Sequence, residues 1–410
     1  MVGASLAAQI FVVLSWILAL AWLWHGLAAL RGMATLPDLS RVDLDSMPPL
    51  STGDGPDITV VVPARNEEKS IEATLRSLLA CTGLRLEIVA VNDRSTDRTG
   101  ERMEQVAAEA EAGGGAHRLR VMHIRELPAG WLGKPHAMAL GAQQATSAWL
   151  LFTDGDVIFD RTALELAVRH AEAEKADHLV LAPTVVLKTL SEAAMLGVMN
   201  VLGGWTIRLW KAADPRAPDF IGVGGFNMIR REVYLSLGGF EALRMEVLDD
   251  LRLGWLVKRG GYRQRVAVGP DLVRVRWLQG ALGVIHLAEK NAFAVYRYRV
   301  GITLLASLGL TAQIVWPLLA IAAGGWASAA GLLTYLSIAL AYQASRREIR
   351  APAWLAILFA PATAVVLYAL LRSMMLALAR GGVDWRGTRY SLEELRSNAG
   401  RGWGFWRARF

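Results

Sequence analysis

Hydrophobic residues recur in two different rhythms along this chain. Residues 1–30 contain no Asp, Glu, Lys or Arg. The run from Gln9 to Leu30 is long enough to cross a hydrocarbon core of ~30 Å as a helix. Met1–Leu6 lacks the basic start of a cleaved leader, so residues 1–30 are expected to be an anchor. Residues 31–57, rich in Pro, Gly, Ser and Asp, read as a linker. Beyond them the rhythm changes. Short strand-like runs at Ile58–Val62, which is β-branched throughout, Glu87–Val91, Leu119–Ile124, Trp149–Phe152, Leu179–Val186 and Arg265–Val268 alternate with helical periodicity at Lys69–Ala80, Thr99–Glu111, Ala137–Ala145 and Leu251–Arg259. This alternation predicts an α/β domain with a mostly parallel sheet covered by helices on both faces.

The C-terminal half returns to long apolar stretches. Leu190–Leu209 is apolar with few charges and is expected to lie in a membrane interface, with Arg208 and Lys211 reaching lipid phosphates; a core helix is the plain alternative. Leu282–Ala294 is amphipathic, with Lys290 and Asn291 on its polar side, so 278–299 reads as an interfacial segment. Val300–Ser345 carries no charged side chain and suits two spanning helices turning near Gly324-Gly325-Trp326. Ala351–Leu371 is a third uncharged run that either spans or re-enters. Two or three C-terminal membrane segments are therefore expected within 300–379, then a basic tail over 380–410.

Composition fits this layout. The apolar fraction is 53% and the mean hydropathy is +0.31, too oily for an ordinary soluble enzyme. The 15 Trp suit membrane–water boundaries. The net charge of +7 is concentrated in the tail, where seven Arg from Arg380 onward face three acids. No nucleic-acid-binding motif accompanies it, so an anionic membrane surface is the expected partner rather than nucleic acid. Arg31 and Arg41, although diluted by Asp38, Asp43 and Asp45, and then Arg346, Arg347 and Arg350 suggest a cytoplasmic side, so the α/β domain is expected on the cytoplasmic face of the cell's inner membrane, in a multi-pass chain. Cys81 is the sole cysteine, which excludes an intrachain disulfide.

Candidate chemistry lies at the ends of the apolar runs. Open α/β sheets bind ligands at the carboxyl ends of their strands. Leu150-Leu151-Phe152 ends in Thr153-Asp154-Gly155-Asp156, two carboxylates able to share a divalent cation whose shell is completed by phosphate oxygens and water. The plain alternative is an acidic turn that caps the next helix through Asp160. Lys134 precedes a helical run and suits a phosphate. Asp249-Asp250 opens the Leu251–Arg259 helix, whose dipole favours ionised acids there. Gly222–Gly225 allows a close backbone approach.

The ordered motifs Val62-Pro63-Ala64-Arg65-Asn66-Glu67, Val91-Asn92-Asp93-Arg94-Ser95-Thr96-Asp97, Asp154-Gly155-Asp156 and Asp249-Asp250 resemble those of family 2 glycosyltransferases. The resemblance implies a Rossmann-like GT-A domain over 58–277, flanked by transmembrane helices. The flanks are similar to the membrane-bound branch with ceramide, carotenoid and hopanoid-associated transferases, as is the tail Asp384-Trp385-Arg386-Gly387-Thr388-Arg389-Tyr390. The resemblance implies that Pro63, Arg65, Glu67 and Asp93 line the nucleotide pocket. It implies that Asp154 and Asp156 hold Mg²⁺ or Mn²⁺ and the diphosphate, and that Asp250, paired with Asp249, is the general base. Arg276 and Trp277 match an Arg-Trp pair that clamps the diphosphate, although Val273 stands where that motif has Gln or Arg, which argues against a processive polysaccharide synthase. The implied activity is inverting transfer from a nucleotide sugar, UDP-sugar favoured, to a hydroxylated lipid. A polyprenyl-phosphate or polysaccharide-type transferase and a nucleotide-sugar-binding scaffold are the alternatives.

Overall fold

The computed structural model describes residues 5–50, 55–277, 280–385 and 387–398. The first four residues of the expected anchor, part of the linker, residues 278–279 and the end of the basic tail, 399–410, lie outside them.

Ten strands build the α/β domain: β1 (Ile58–Ala64), β2 (Leu86–Asp93), β3 (Arg118–Ile124), β4 (Trp149–Phe152), β5 (Val157–Phe159), β6 (His178–Ala182), β7 (Thr184–Val185), β8 (Asn227–Arg230), β9 (Gln264–Val268) and β10 (Val273–Val275). Seven of them form the main sheet in the order β3-β2-β1-β4-β8-β6-β9. All pairings are parallel except those of β8, which runs antiparallel to both β4 and β6. Every residue of β1 is buried, as expected of a strand covered on both faces. This is the GT-A arrangement implied by the sequence.

The expected Leu179–Val186 strand is divided in two. Pro183 has no N–H to give a ladder, so β6 ends at Ala182 in the main sheet. The chain resumes as β7 in a small sheet ordered β5-β10-β7. β8 had no clear alternation in the sequence, because its four residues begin with Asn227 and end with Arg230.

Among the described residues, four helices are long and apolar enough to cross a membrane: Leu6–Ala34, Val300–Ala323, Gly325–Ala344 and the stretch Ala353–Arg380. The third uncharged run is thus part of a helix that continues past Arg372, whose guanidinium pairs with Glu289 at 2.9 Å. The turn between the second and third helices falls at Gly324, which has φ +76°, a conformation that favours glycine. Polar bonds tie the first helix to the second: the Trp22 indole donates to Gln313 Oε1 at 2.7 Å and the Trp316 indole to Ser15 Oγ at 3.1 Å.

Two expectations change here. The helix Leu190–Gly204 is not laid against lipid along its apolar face: Met195, Leu196, Val198 and Val201 are buried in a cluster with Trp22, Ile338, Tyr342 and Phe359. Its apolar side therefore meets the spanning helices. Arg208 and Lys211 are likewise occupied within the protein, by Asp219 at 2.6 Å and Asp214 at 3.7 Å. The second change concerns the linker. Leu39 is fully buried in the main core with Ile58 and Val60, Val268 N–H donates to Pro37 O at 2.9 Å, and Asp38 bridges to Val268. The stretch after the first helix is thus pinned along the outer edge of β9.

Candidate active site

A polar cleft of about 120 Å³ opens at the carboxyl ends of β1, β2 and β4. Its wall includes Pro63, Arg65 and Glu67 after β1, Asp93 at the end of β2, and Asp154 and Asp156 after β4. Two loop residues there adopt left-handed backbone, Asn66 (φ 58°) and Arg94 (φ 54°). The side chain of Asn66 fixes the neighbouring loop by accepting from Thr96 N–H at 2.8 Å. Asp93 accepts two bonds from the Arg94 guanidinium, at 2.7 and 3.2 Å.

Lys134 sits in the first turn of the helix Gly133–Gln143 and joins the acids. Its Nζ lies 2.6 Å from Asp154 Oδ1 and 3.7 Å from Asp249 Oδ2. Burial alone would lower the pKa of this amine, but Asp154, Asp249 and Asp250 outweigh it and hold the amine protonated. Burial pushes Asp249 up, to about 6, against the pull of Lys134. Burial also raises Asp250, opposed by Lys134 and by the bond its Oδ1 accepts from Leu251 N–H at 2.7 Å. The two acids open the helix Asp249–Arg259, so helix N-terminus and lysine together offset part of the desolvation cost.

The glycine run explains how these acids come so close to the sheet. A Cβ on Gly222 would lie 1.7 Å from the Asp250 carbonyl oxygen, and one on Gly224 would lie 2.5 Å from Asp154 Oδ2. The close approach foreseen for this run is made to the acidic centre. From below, Asn227 Nδ2 donates to the Asp250 carbonyl at 3.2 Å. Asn227 is in turn held by the buried His178, which burial depresses to about 4 and keeps neutral.

Among the described residues, no group of three or more His, Cys, Asp or Glu is arranged to hold a metal by itself. Asp154 and Asp156 do fit a hard cation that draws its other ligands from phosphate and water, since the cleft offers them as carboxylate oxygens on one rim.

Arg276 and Trp277 do not line this cleft. Arg276 Nη2 pairs with the buried Glu192 at 3.1 Å, and Trp277 is 54% exposed. Glu192 also accepts from Lys188, Thr189 and Gly280 N–H groups. Burial opposes its ionisation, yet these bonds and Arg276 hold it down at about 2. In their place the cleft has Lys290, Trp385 and Tyr390. The latter two come from a C-terminal hairpin, Gly382–Trp385 paired with Thr388–Ser391. The signals for them were a lysine on the polar side of an amphipathic helix and two aromatics in the tail motif.

The family model for "Glycosyl transferase family 2" matches residues 59–238. This chain carries a family 2 glycosyltransferase domain. Curated relatives include a 4,4'-diaponeurosporenoate glycosyltransferase of Staphylococcus haemolyticus, 26% identical over 208 residues, or 49% of this chain and 52% of the relative. Its counterpart in Staphylococcus aureus strain USA300 is 24% identical over 201 residues, covering 48% and 50%. The chain spans about half the length of the curated relatives it matches. Among solved structures, a mannosyltransferase of Pyrobaculum calidifontis in complex with GDP-Man and Mn²⁺ is 17% identical, with 90% of this chain and 97% of that one covered and a TM-score of 0.48. S. aureus TarS 1–349 with UDP is 14% identical, covers 82% and 99%, and has a TM-score of 0.38. The matched glycosyltransferase region holds the loops after β1, β2 and β4; Asp249, Asp250, Lys290 and the hairpin lie beyond it.

Proposed function

We propose that the protein is a membrane-bound inverting glycosyltransferase that moves a sugar from a nucleotide-sugar donor, UDP-sugar favoured, to a hydroxylated lipid at the cytoplasmic face of the inner membrane. The observation that carries this reading is the contact of Lys134 with Asp154 and Asp249, which joins the strand-end acids to the helix-borne acid pair in one cleft.

Pro63, Arg65, Glu67 and Asp93 hold the nucleotide. Asp154 and Asp156 hold Mg²⁺ or Mn²⁺, which when bound neutralises charge on the leaving diphosphate. Lys134 keeps this acidic centre assembled. Asp250 accepts the proton of the acceptor hydroxyl as its oxygen attacks the sugar carbon from the face opposite the leaving group. Its raised pKa makes it a better base than a solvated aspartate, while the neighbouring lysine favours the ionised form. A single displacement of this kind inverts the anomeric centre. The apolar helices around the cleft bring the lipid to a water-soluble donor.

The curated relatives are named for 4,4'-diaponeurosporenoate, and that name favours a second acceptor chemistry, a lipid carboxylate, which reaches the cleft already ionised. The test is transfer of radiolabelled sugar from UDP-, GDP- and dTDP-sugars into extractable lipid by the purified full-length protein with Mg²⁺ or Mn²⁺. Transfer to a lipid alcohol that is lost in Asp250→Asn supports the proposal. Retention of full transfer in Asp250→Asn excludes Asp250 as the base. Absence of transfer with every donor and lipid class excludes the reading.

A further inference from the structure

The cleft needs cations for the leaving diphosphate, and of the two expected, Lys134 and Arg276, the second is bound elsewhere to Glu192. Three basic residues line the cleft: Arg65, Lys134 and Lys290. Lys134 is already balanced by Asp154 and Asp249. The Arg65 guanidinium donates to Thr388 Oγ1 at 3.3 Å, which fixes it on the tail hairpin. Lys290 enters from the opposite wall, on the helix Gly280–Val295.

The position of Lys290 is built by its surroundings. Its Nζ stands 4.4 Å from the centroid of the Trp385 ring, a ring 8% exposed, so a π face orients the ammonium. One turn on, Phe293 is buried against Trp385, Tyr390 and Met374. Ser373 Oγ, from the last spanning helix, accepts from Phe293 N–H at 3.2 Å and donates to Glu289 O at 3.1 Å. Ser373 thus ties both backbone groups of that turn to the spanning helix. The carboxylate next to Lys290, Glu289, is engaged by Arg372. The turn bearing Lys290 is therefore held to the spanning helix, with Glu289 engaged by Arg372 and the ammonium also acting on Asp249 across the cleft.

We propose that Lys290, oriented by Trp385, is the side chain that meets the diphosphate of the donor, in the role the sequence resemblance implies for Arg276. The assignment rests on the nucleotide-sugar reading above. In the transfer, the bond from the acceptor oxygen to the sugar carbon forms as the bond from that carbon to the diphosphate oxygen breaks. The bonding pair leaves with the diphosphate, where the ammonium offsets the gathering charge, and the acceptor proton goes to Asp250. Lysine suits this as a point charge that requires no fixed planar geometry.

The experiment titrates the full-length, detergent-solubilised protein with UDP, UMP and uridine, and with GDP, GMP and guanosine, by calorimetry with Mg²⁺ present. Lys290→Gln is expected to weaken the diphosphate that binds about ten-fold or more and to leave the matching nucleoside within about two-fold, a loss of roughly 1.4 kcal/mol per ten-fold. Lys290→Arg, which keeps the charge, is expected to restore most of the diphosphate affinity. Trp385→Leu is expected to fall between wild type and Lys290→Gln. Equal diphosphate binding by wild type and Lys290→Gln overturns the assignment. So does equal weakening of nucleoside and diphosphate, or a larger diphosphate-selective loss in Arg276→Gln. Wild-type protein that binds none of UDP, GDP and dTDP, the last titrated in the same way, overturns the donor reading and this assignment with it, and is told apart because the unmodified chain itself fails.

Discussion

The two walls of the cleft are made in different ways. One wall consists of strand ends: Pro63 to Glu67, Asp93, Asp154 and Asp156 follow β1, β2 and β4, and the parallel register of those strands fixes their spacing. The other wall consists of Lys290, Trp385 and Tyr390, which belong to a helix and a hairpin joined through a separate cluster that includes Phe293, Met374 and Leu395. A sheet delivers residues to a common edge by topology alone. The second wall exists only once the spanning helices have packed.

The largest expected effect tests the junction between the walls. Lys134→Met removes the cation that pairs with both Asp154 and the buried Asp249. It should destabilise the domain by about 3–5 kcal/mol and abolish transfer, as read by thermal unfolding and by the labelled-lipid assay. A domain that melts normally would show that the acids are balanced from the other wall. Next, Asp250→Asn should lower kcat by about 10²–10⁴ with little change in melting temperature; an equal change in both would make Asp250 a structural residue of the strand wall.

A smaller effect should appear with pH. Burial raises Asp249 and Asp250 in the folded protein, so the active, ionised base is lost as pH falls through a value above that of an ordinary carboxylate. The acid limb of the kcat/KM profile should lie nearer 6 than 4 and belong to the pair rather than to one residue. A limb near 4 would mean that the acids are solvated. The smallest effect is expected from Tyr390→Phe, which removes the bond that Tyr390 Oη accepts from Gly133 N–H at 3.4 Å. The cost should be about 0.5–1.5 kcal/mol, visible as a modest rise in donor KM. A loss comparable to that of Lys134→Met would show that the hairpin organises the strand wall as well.

The strand wall was legible in the sequence because each short apolar run ended abruptly in polar residues, as at Phe152-Thr153-Asp154. The break at Gly324 and the acids at the start of the Asp249–Arg259 helix were legible for the same reason, a local change of pattern. The second wall was not, since nothing near Lys290 in the chain records that a hairpin nearly a hundred residues later presents Trp385 to it. Leu190–Gly204 shows the same limit: a helix apolar on most of its surface reads alike whether lipid or Tyr342 covers it. Arg276 went to Glu192 because that carboxylate is buried beside it, and an unmatched buried charge is costlier than an unmatched surface one.

The clamp between Pro37–Asp38 and Val268 sets a length. The first apolar helix ends at Ala34, so only a few residues separate it from the sheet's rim. With that helix in a bilayer, so brief a leash restrains tumbling or lifting of the globular head. The height of the cleft mouth above the headgroups is then a fixed dimension, and under the proposed function this dimension sorts acceptors by how far their reactive end protrudes from the leaflet.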